Sequence, residues 1–90
     1  MEILWDDRKA EANLRKHGVS FDEAATVFNS PLAKSYPDSH EAEDRMLLVG
    51  YSSERRLLLV VYLERAEESV RIISARKATA NERRDYEEGI

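Results

Sequence analysis

The chain has 90 residues, 14 Lys and Arg against 18 Asp and Glu, a formal charge of −4 and a hydrophobic fraction of 42%. That length holds one hydrophobic core, so residues 1–90 are read as a single domain, and the apolar fraction excludes a disordered chain. With no cysteine, a disulfide scaffold and a thiolate zinc site are excluded. No apolar run approaches the ~18 residues of a membrane span, and no signal-peptide core precedes the first charges, so a cytoplasmic protein without membrane contact is expected.

Ile3-Leu4-Trp5 reads as an edge strand or anchoring tail, with Trp5 in the core. Asp6 or Asp7 then caps a helix over residues 8–17, where Ala10, Asn13, Leu14 and His17 recur at helical spacing and form a buried stripe. Gly18 suits the left-handed position after the helix, with Val19 folding back onto Leu14. Ser20-Phe21-Asp22-Glu23 is a capping box opening a second helix to about residue 29, apolar along Phe21, Ala24, Ala25 and Phe28. The two form a helical hairpin whose apolar stripes need a sheet to cover.

Residues 32–36 read as a short strand and 37–41 as a loop. Residues 45–51 and 57–63 are the clearest strands, joined as a hairpin. The second is apolar on both faces, which marks a central strand covered from both sides. Residues 70–79 close the sheet, and Thr79-Ala80-Asn81-Glu82 is a capping box that starts a last helix carrying Arg83, Arg84 and Tyr86. The expected class is α+β, a small antiparallel sheet packed by an N-terminal helical hairpin and a C-terminal helix.

Chemistry is bounded mostly by absences. There is no glycine-rich phosphate loop and no HExxH pattern, and His17 and His40 are too few and too far apart for a metal site, so neither cofactor nor metal is expected. Acid–base and electrostatic catalysis remain. Arg71, Arg76 and Lys77 lie on the closing strand, and with the following helix N-terminus they are expected to converge on one positive patch. Glu43 and Arg45 flank one residue at a strand start and so share a face. Metal-free RNA cleavage needs a base for the 2′-hydroxyl, an acid for the 5′-oxygen and a cation for the phosphate; Glu43 or His17, with Arg76, can supply these. The plainer alternative is an exposed Glu43–Arg45 salt bridge worth under ~1 kcal/mol. The acidic total disfavours nucleic-acid binding by overall charge, and no helix offers several base-reading residues for DNA.

Several stretches resemble the BrnT family of type II toxin–antitoxin systems: Leu4-Trp5-Asp6 with Lys9 and Asn13, Lys16-His17-Gly18-Val19-Ser20-Phe21, Glu43-Asp44-Arg45 with Gly50, and Arg71 through Ala78, trailed by Glu82-Arg83 and Tyr86. The resemblance implies a RelE-like fold, ribonuclease activity that arrests growth, and neutralisation in a hetero-oligomer by a ribbon-helix-helix DNA-binding antitoxin. It carries Glu43, Arg45, Arg76 and His17 over as catalytic candidates. Lys16, Lys77, Arg71 and Arg83 follow as candidate RNA contacts. The competing expectation is a non-enzymatic interaction module acting through a partner, motivated by the doubly apolar strand and the acidic segment 38–44.

Overall fold

The structure, a computed structural model, describes residues 1–38, 44–66 and 68–89. Its elements in chain order are β1 (Glu2–Leu4), α1 (Asp7–His17), α2 (Phe21–Val27), β2 (Lys34–Pro37), β3 (Arg45–Tyr51), β4 (Leu57–Arg65), β5 (Ser69–Lys77) and α3 (Ala80–Glu87). They build a five-stranded sheet ordered β1-β5-β4-β3-β2, with β4 at its centre. The expected all-antiparallel sheet is corrected at one edge, where β1 runs parallel to β5 and pairs Ile3 with Val70. Both of β4's edges are taken by β3 and β5, and β1 takes the far edge of β5, where Ile3 and Trp5 reach the main core.

Helix α1 is capped by Asp6, whose side chain accepts from the Arg8 and Lys9 amides, and it ends at Gly18 in the left-handed conformation at φ 70°. Only the burial of its stripe departs from expectation. Asn13 is buried, whereas Leu14 is 51% exposed and Val19 enters the main core instead of covering it. The reason lies at the edge of β5: β1 stops at Leu4, and the Asn13 amide takes over as a surrogate strand. Its Nδ2 donates to the carbonyls of Ala75 at 2.8 Å and Val19 at 2.9 Å, while its Oδ1 accepts from the Ala75 amide at 3.1 Å. Buried backbone groups left without partners are costly, so α1 is rolled onto Asn13 and Leu14 turns outward.

Ser20 caps α2 by accepting from the Glu23 amide at 3.0 Å. Half of the expected capping box is missing, because Glu23 points inward. Its carboxylate accepts from Ser52 Oγ at 2.7 Å and Arg56 Nε at 2.9 Å, and it pairs closely with Arg56 Nη2. This ties the β3–β4 hairpin to α2. The helix gives way after Val27 to tight turns through Ser30, which delays β2 by two residues relative to expectation. At Gly50 a Cβ would meet that of Ala33 at 2.8 Å, so only glycine lets β3 pass beneath the connection from α2 to β2.

The two faces of β4 serve two cores. Leu58, Val60 and Tyr62 meet Phe21, Ala24 and Val27 from α2, together with Ile72 from β5. Leu57 and Leu59 face the other way with Val49, against Ala78 and Tyr86. Helices α1 and α2 cover the first face; α3 alone lies over the second, with none of its residues buried. This second side is called the open face below.

Candidate active site

Residues paired across a sheet share a face, so the register fixes what the open face displays. One row reads Leu4, Arg71, Leu63 and Arg45. The next reads Ser74, Val61, Leu47 and Tyr36, and the third Arg76, Leu59, Val49 and Lys34. Cations thus bound an apolar strip that α3 only partly roofs.

Arg76 is the most constrained of them. Its Nη1 and Nη2 donate to the two Glu82 oxygens at 2.8 and 2.9 Å, and Nη1 also donates to the Lys77 carbonyl at 3.2 Å. Glu82 in turn accepts from the Thr79 amide at 2.9 Å, completing the capping box of α3. The guanidinium holds the Glu82 carboxyl below the usual carboxylate range, and the carboxylate raises Arg76 above its ordinary value. A guanidinium has five N–H donors, three of which are used here, so two still point elsewhere. Glu82 therefore braces Arg76 while leaving one edge able to grip an anion.

The second cluster lies where α1 meets the edge of β5. Lys9, Lys16 and His17 line a shallow groove of about 230 Å³ with Asn13, Ile73 and Ser74. Asn13 holds it together, since its bonds to Ala75 fix α1 against this stretch of strand. The register of β4 and β5 slips between Val61 and Tyr62, which leaves Ile73 as the extra residue of β5. Ser74 belongs both to this groove and to the open face beside Arg76, so the two cationic regions adjoin.

The structure divides the cations expected to cluster. Arg71 and Arg76 share a face but occupy opposite halves of β5, with Arg71 two rows away beside Leu63. Lys77 pairs with Leu58 and so points toward the helix-covered side, away from Arg76. Arg83 stands on the flank of α3 beside Tyr51, where its Nη1 donates to the Tyr51 hydroxyl at 3.2 Å and lies 3.7 Å from Glu87. Arg45 opens β3 at the far end of Arg71's row. Lys16 and His17 come together on α1, and Glu43 lies outside the described residues. The single positive patch is therefore corrected to a track along β5, from Lys16 and His17 past Ser74 to Arg76, with Arg71 and Arg45 on the opposite side of Ser74 from Arg76. Its cause is the two-residue alternation of a strand, which sends neighbours such as Arg76 and Lys77 to opposite faces. No group of three or more His, Asp or Glu among the described residues is placed to hold a metal ion.

Residues 5–82 match the family described as "Ribonuclease toxin, BrnT, of type II toxin-antitoxin system". The chain belongs to the BrnT family. It is similar to the 1.1 Å crystal structure of the Brucella abortus ribonuclease toxin BrnT, at 27% identity and a TM-score of 0.71, over 88% of this chain and 97% of that one. The comparison with curated proteins gave no match. This BrnT-family chain therefore has the α+β architecture with a mixed five-stranded sheet and three helices seen above.

Sequence reasoning missed an aromatic group on the open face. Tyr86 sits edge-on to Tyr51 at 6.0 Å between ring centroids, beneath Lys34 Nζ at 5.3 Å, and donates from its hydroxyl to the Leu32 carbonyl at 2.9 Å. Burial raises the Tyr86 hydroxyl above its ordinary range, with Tyr51 and Tyr36 adding to the effect. One signal was available: Glu82, Asp85 and Tyr86 stand at i, i+3 and i+4, so a single face of α3 carries all three.

Proposed function

We propose that this BrnT-family chain is a metal-independent endoribonuclease that acts in the cytoplasm and arrests growth. In this reading it keeps the RelE-like plan and is neutralised by a ribbon-helix-helix DNA-binding antitoxin in a hetero-oligomer. The observation that carries the catalytic part is the track along β5, where a histidine and two lysines of α1 lie along the strand that carries a braced arginine.

The reaction follows from those groups. A base, His17 or Glu43, removes the proton from a ribose 2′-hydroxyl, whose oxygen attacks the adjacent phosphorus. The bond from phosphorus to the 5′-oxygen breaks, and that oxygen takes a proton from the conjugate acid of a second group. The products are a 2′,3′-cyclic phosphate and a free 5′-hydroxyl. Arg76, aimed by Glu82, meets the charge building on the non-bridging oxygens, while Arg45, two strands away in Arg71's row, meets a more distant part of the RNA. Preorganised cations of this kind contribute several kcal/mol in the transition state. Lys16 and Arg71 hold the flanking phosphates electrostatically, and Lys77 and Arg83, which lie off the track, add longer-range attraction.

The test is incubation of the chain, freed of any partner and with chelator present, with end-labelled RNA. Cleavage leaving 2′,3′-cyclic phosphate ends, lost by about a hundredfold or more in Arg76→Ala, is expected. Cleavage that requires added metal, or an Arg76→Ala protein of full activity, overturns the reading.

A further inference from the structure

Between α3 and the open face runs a groove of about 360 Å³ that the reaction above does not use. Leu47, Val49 and Leu59 form its floor, Tyr36 and Tyr86 its aromatic walls, and Asp85 part of its rim. We infer that this groove is a subsite for one unpaired nucleobase of the RNA, with Asp85 selecting a base edge that offers two adjacent N–H donors, as guanine does. The inference rests on the ribonuclease reading.

Three observations select this occupant. The first is shape and surface: a base has two apolar π faces, which stack on tyrosine and cover aliphatic side chains irrespective of sequence. Tyr86 is already fixed for this by its hydroxyl bond to Leu32, its edge contact with Tyr51 and Lys34 above its ring.

The second is the state of the two rim carboxylates. Glu82 is committed to Arg76 and the Thr79 amide, whereas Asp85 makes no hydrogen bond or ion pair among the described residues. An exposed carboxylate beside an apolar floor suits a partner that is flat, apolar on its faces and rich in donors at one edge. Guanine presents N1–H beside its 2-amino group, matching two carboxylate oxygens. Adenine and cytosine place a ring-nitrogen acceptor beside their amine, and uracil flanks its N3–H with carbonyl oxygens.

The third is charge. Lys34 and Arg76 end the row that carries Val49 and Leu59. Arg71 and Arg45 lie in the row next to Tyr36 and Leu47, two residues or ~7 Å farther along the strands. A base seated in the groove thus has cations on both sides for the phosphates that precede and follow it.

The experiment uses fluorescein-labelled oligouridylates carrying one guanosine, inosine, adenosine or cytidine. Binding is measured on 2′-O-methylated strands and cleavage on unmodified ones, with wild type, Asp85→Asn and, as control, Asp22→Asn on α2. Wild type and the control are expected to prefer guanosine to inosine, which lacks the 2-amino group, by about tenfold, and Asp85→Asn to bring that ratio close to one. Equal binding of guanosine and inosine by wild type, or a preference that survives Asp85→Asn, overturns the inference. So does an Asp85→Asn protein that keeps its preference but loses a co-expressed antitoxin, which would make the groove a protein's. Guanosine-selective binding without cleavage supports the subsite while defeating the ribonuclease reading, and cleavage without any base preference does the reverse.

Discussion

The two faces of the sheet are built from the same strands, yet one carries a large sealed core and the other a small one under a helix held by polar ties. On the helix-covered side Phe21, Leu58, Val60 and Ile72 are no more than 1% exposed, and the few polar groups there are fully partnered. On the open side Leu57, Val49 and Leu59 form a smaller core, but α3 above it buries none of its residues and is fixed by directed polar ties: Arg76 to Glu82, Tyr86 to Leu32, and Tyr51 to Glu87. Apolar burial at close packing supplies stability, while exposed hydrogen bonds and ion pairs supply little of it but fix geometry. One face is scaffold and the other can be shaped by what it binds.

The sharpest way to break this division is to truncate each side. Phe21→Ala empties a sealed position against the sheet and meets Trp5 no longer, so a loss of about 3–5 kcal/mol in denaturant unfolding is expected. Tyr36→Ala on the open face should cost under about 1 kcal/mol and impair RNA binding. Equal losses at the two positions would erase the distinction.

Asn13→Leu comes next. The leucine fills similar space but leaves both polar groups of Ala75 without their partner at a buried edge, for about 3 kcal/mol. Because Asn13 also positions α1 beside Ser74, activity should fall further than stability alone explains; a stability loss with full cleavage would detach α1 from the site.

Part of this division is legible in the residue order alone. Helix caps at Asp6 and Thr79, the turn at Gly18 and the doubly apolar strand 57–63 all act through local spacing, and each appears where the sequence puts it. What spacing could not supply was partners across the fold. Glu23 reads as half of a capping box until Arg56, distant in sequence, claims its carboxylate. Arg76 likewise reads as a free cation until Glu82 braces it, and nothing local to residues 2–4 announces a parallel strand. The site was legible in its residue types, much less in which face each one takes.

Acid sharpens the comparison through titration. The Arg56 guanidinium, and Ser52 after it, hold the Glu23 carboxyl below its ordinary value of 4.5, against the opposing effect of burial. A depressed folded value gives stability that is complete above the ordinary carboxylate range and is lost as pH falls through the lower folded value. Glu82 has the same sign from Arg76, on the open face. Thermal stability should therefore hold from neutrality to about the ordinary carboxylate value and drop below it. Glu23→Gln should flatten that drop more than Glu82→Gln, since Glu23 is the more enclosed of the two. A steeper acid loss in Glu23→Gln would contradict the assignment.

The smallest effect belongs to Tyr86→Phe, which deletes one exposed hydrogen bond to Leu32 and keeps the ring, for well under about 1 kcal/mol. Base stacking should be retained, and a large loss of RNA affinity would mean that the hydroxyl itself meets the substrate.

The most direct test of the division is a map of amide shifts in the isotope-labelled chain as a 2′-O-methylated, uncleavable RNA is added. Shifts concentrated at Leu47, Leu59, Arg71, Ser74 and Arg76, with Ala24, Val27 and Leu58 almost still, are the predicted result. Shifts concentrated on α2 and the turn from Ser52 to Arg56, with the open face unmoved, would contradict the account.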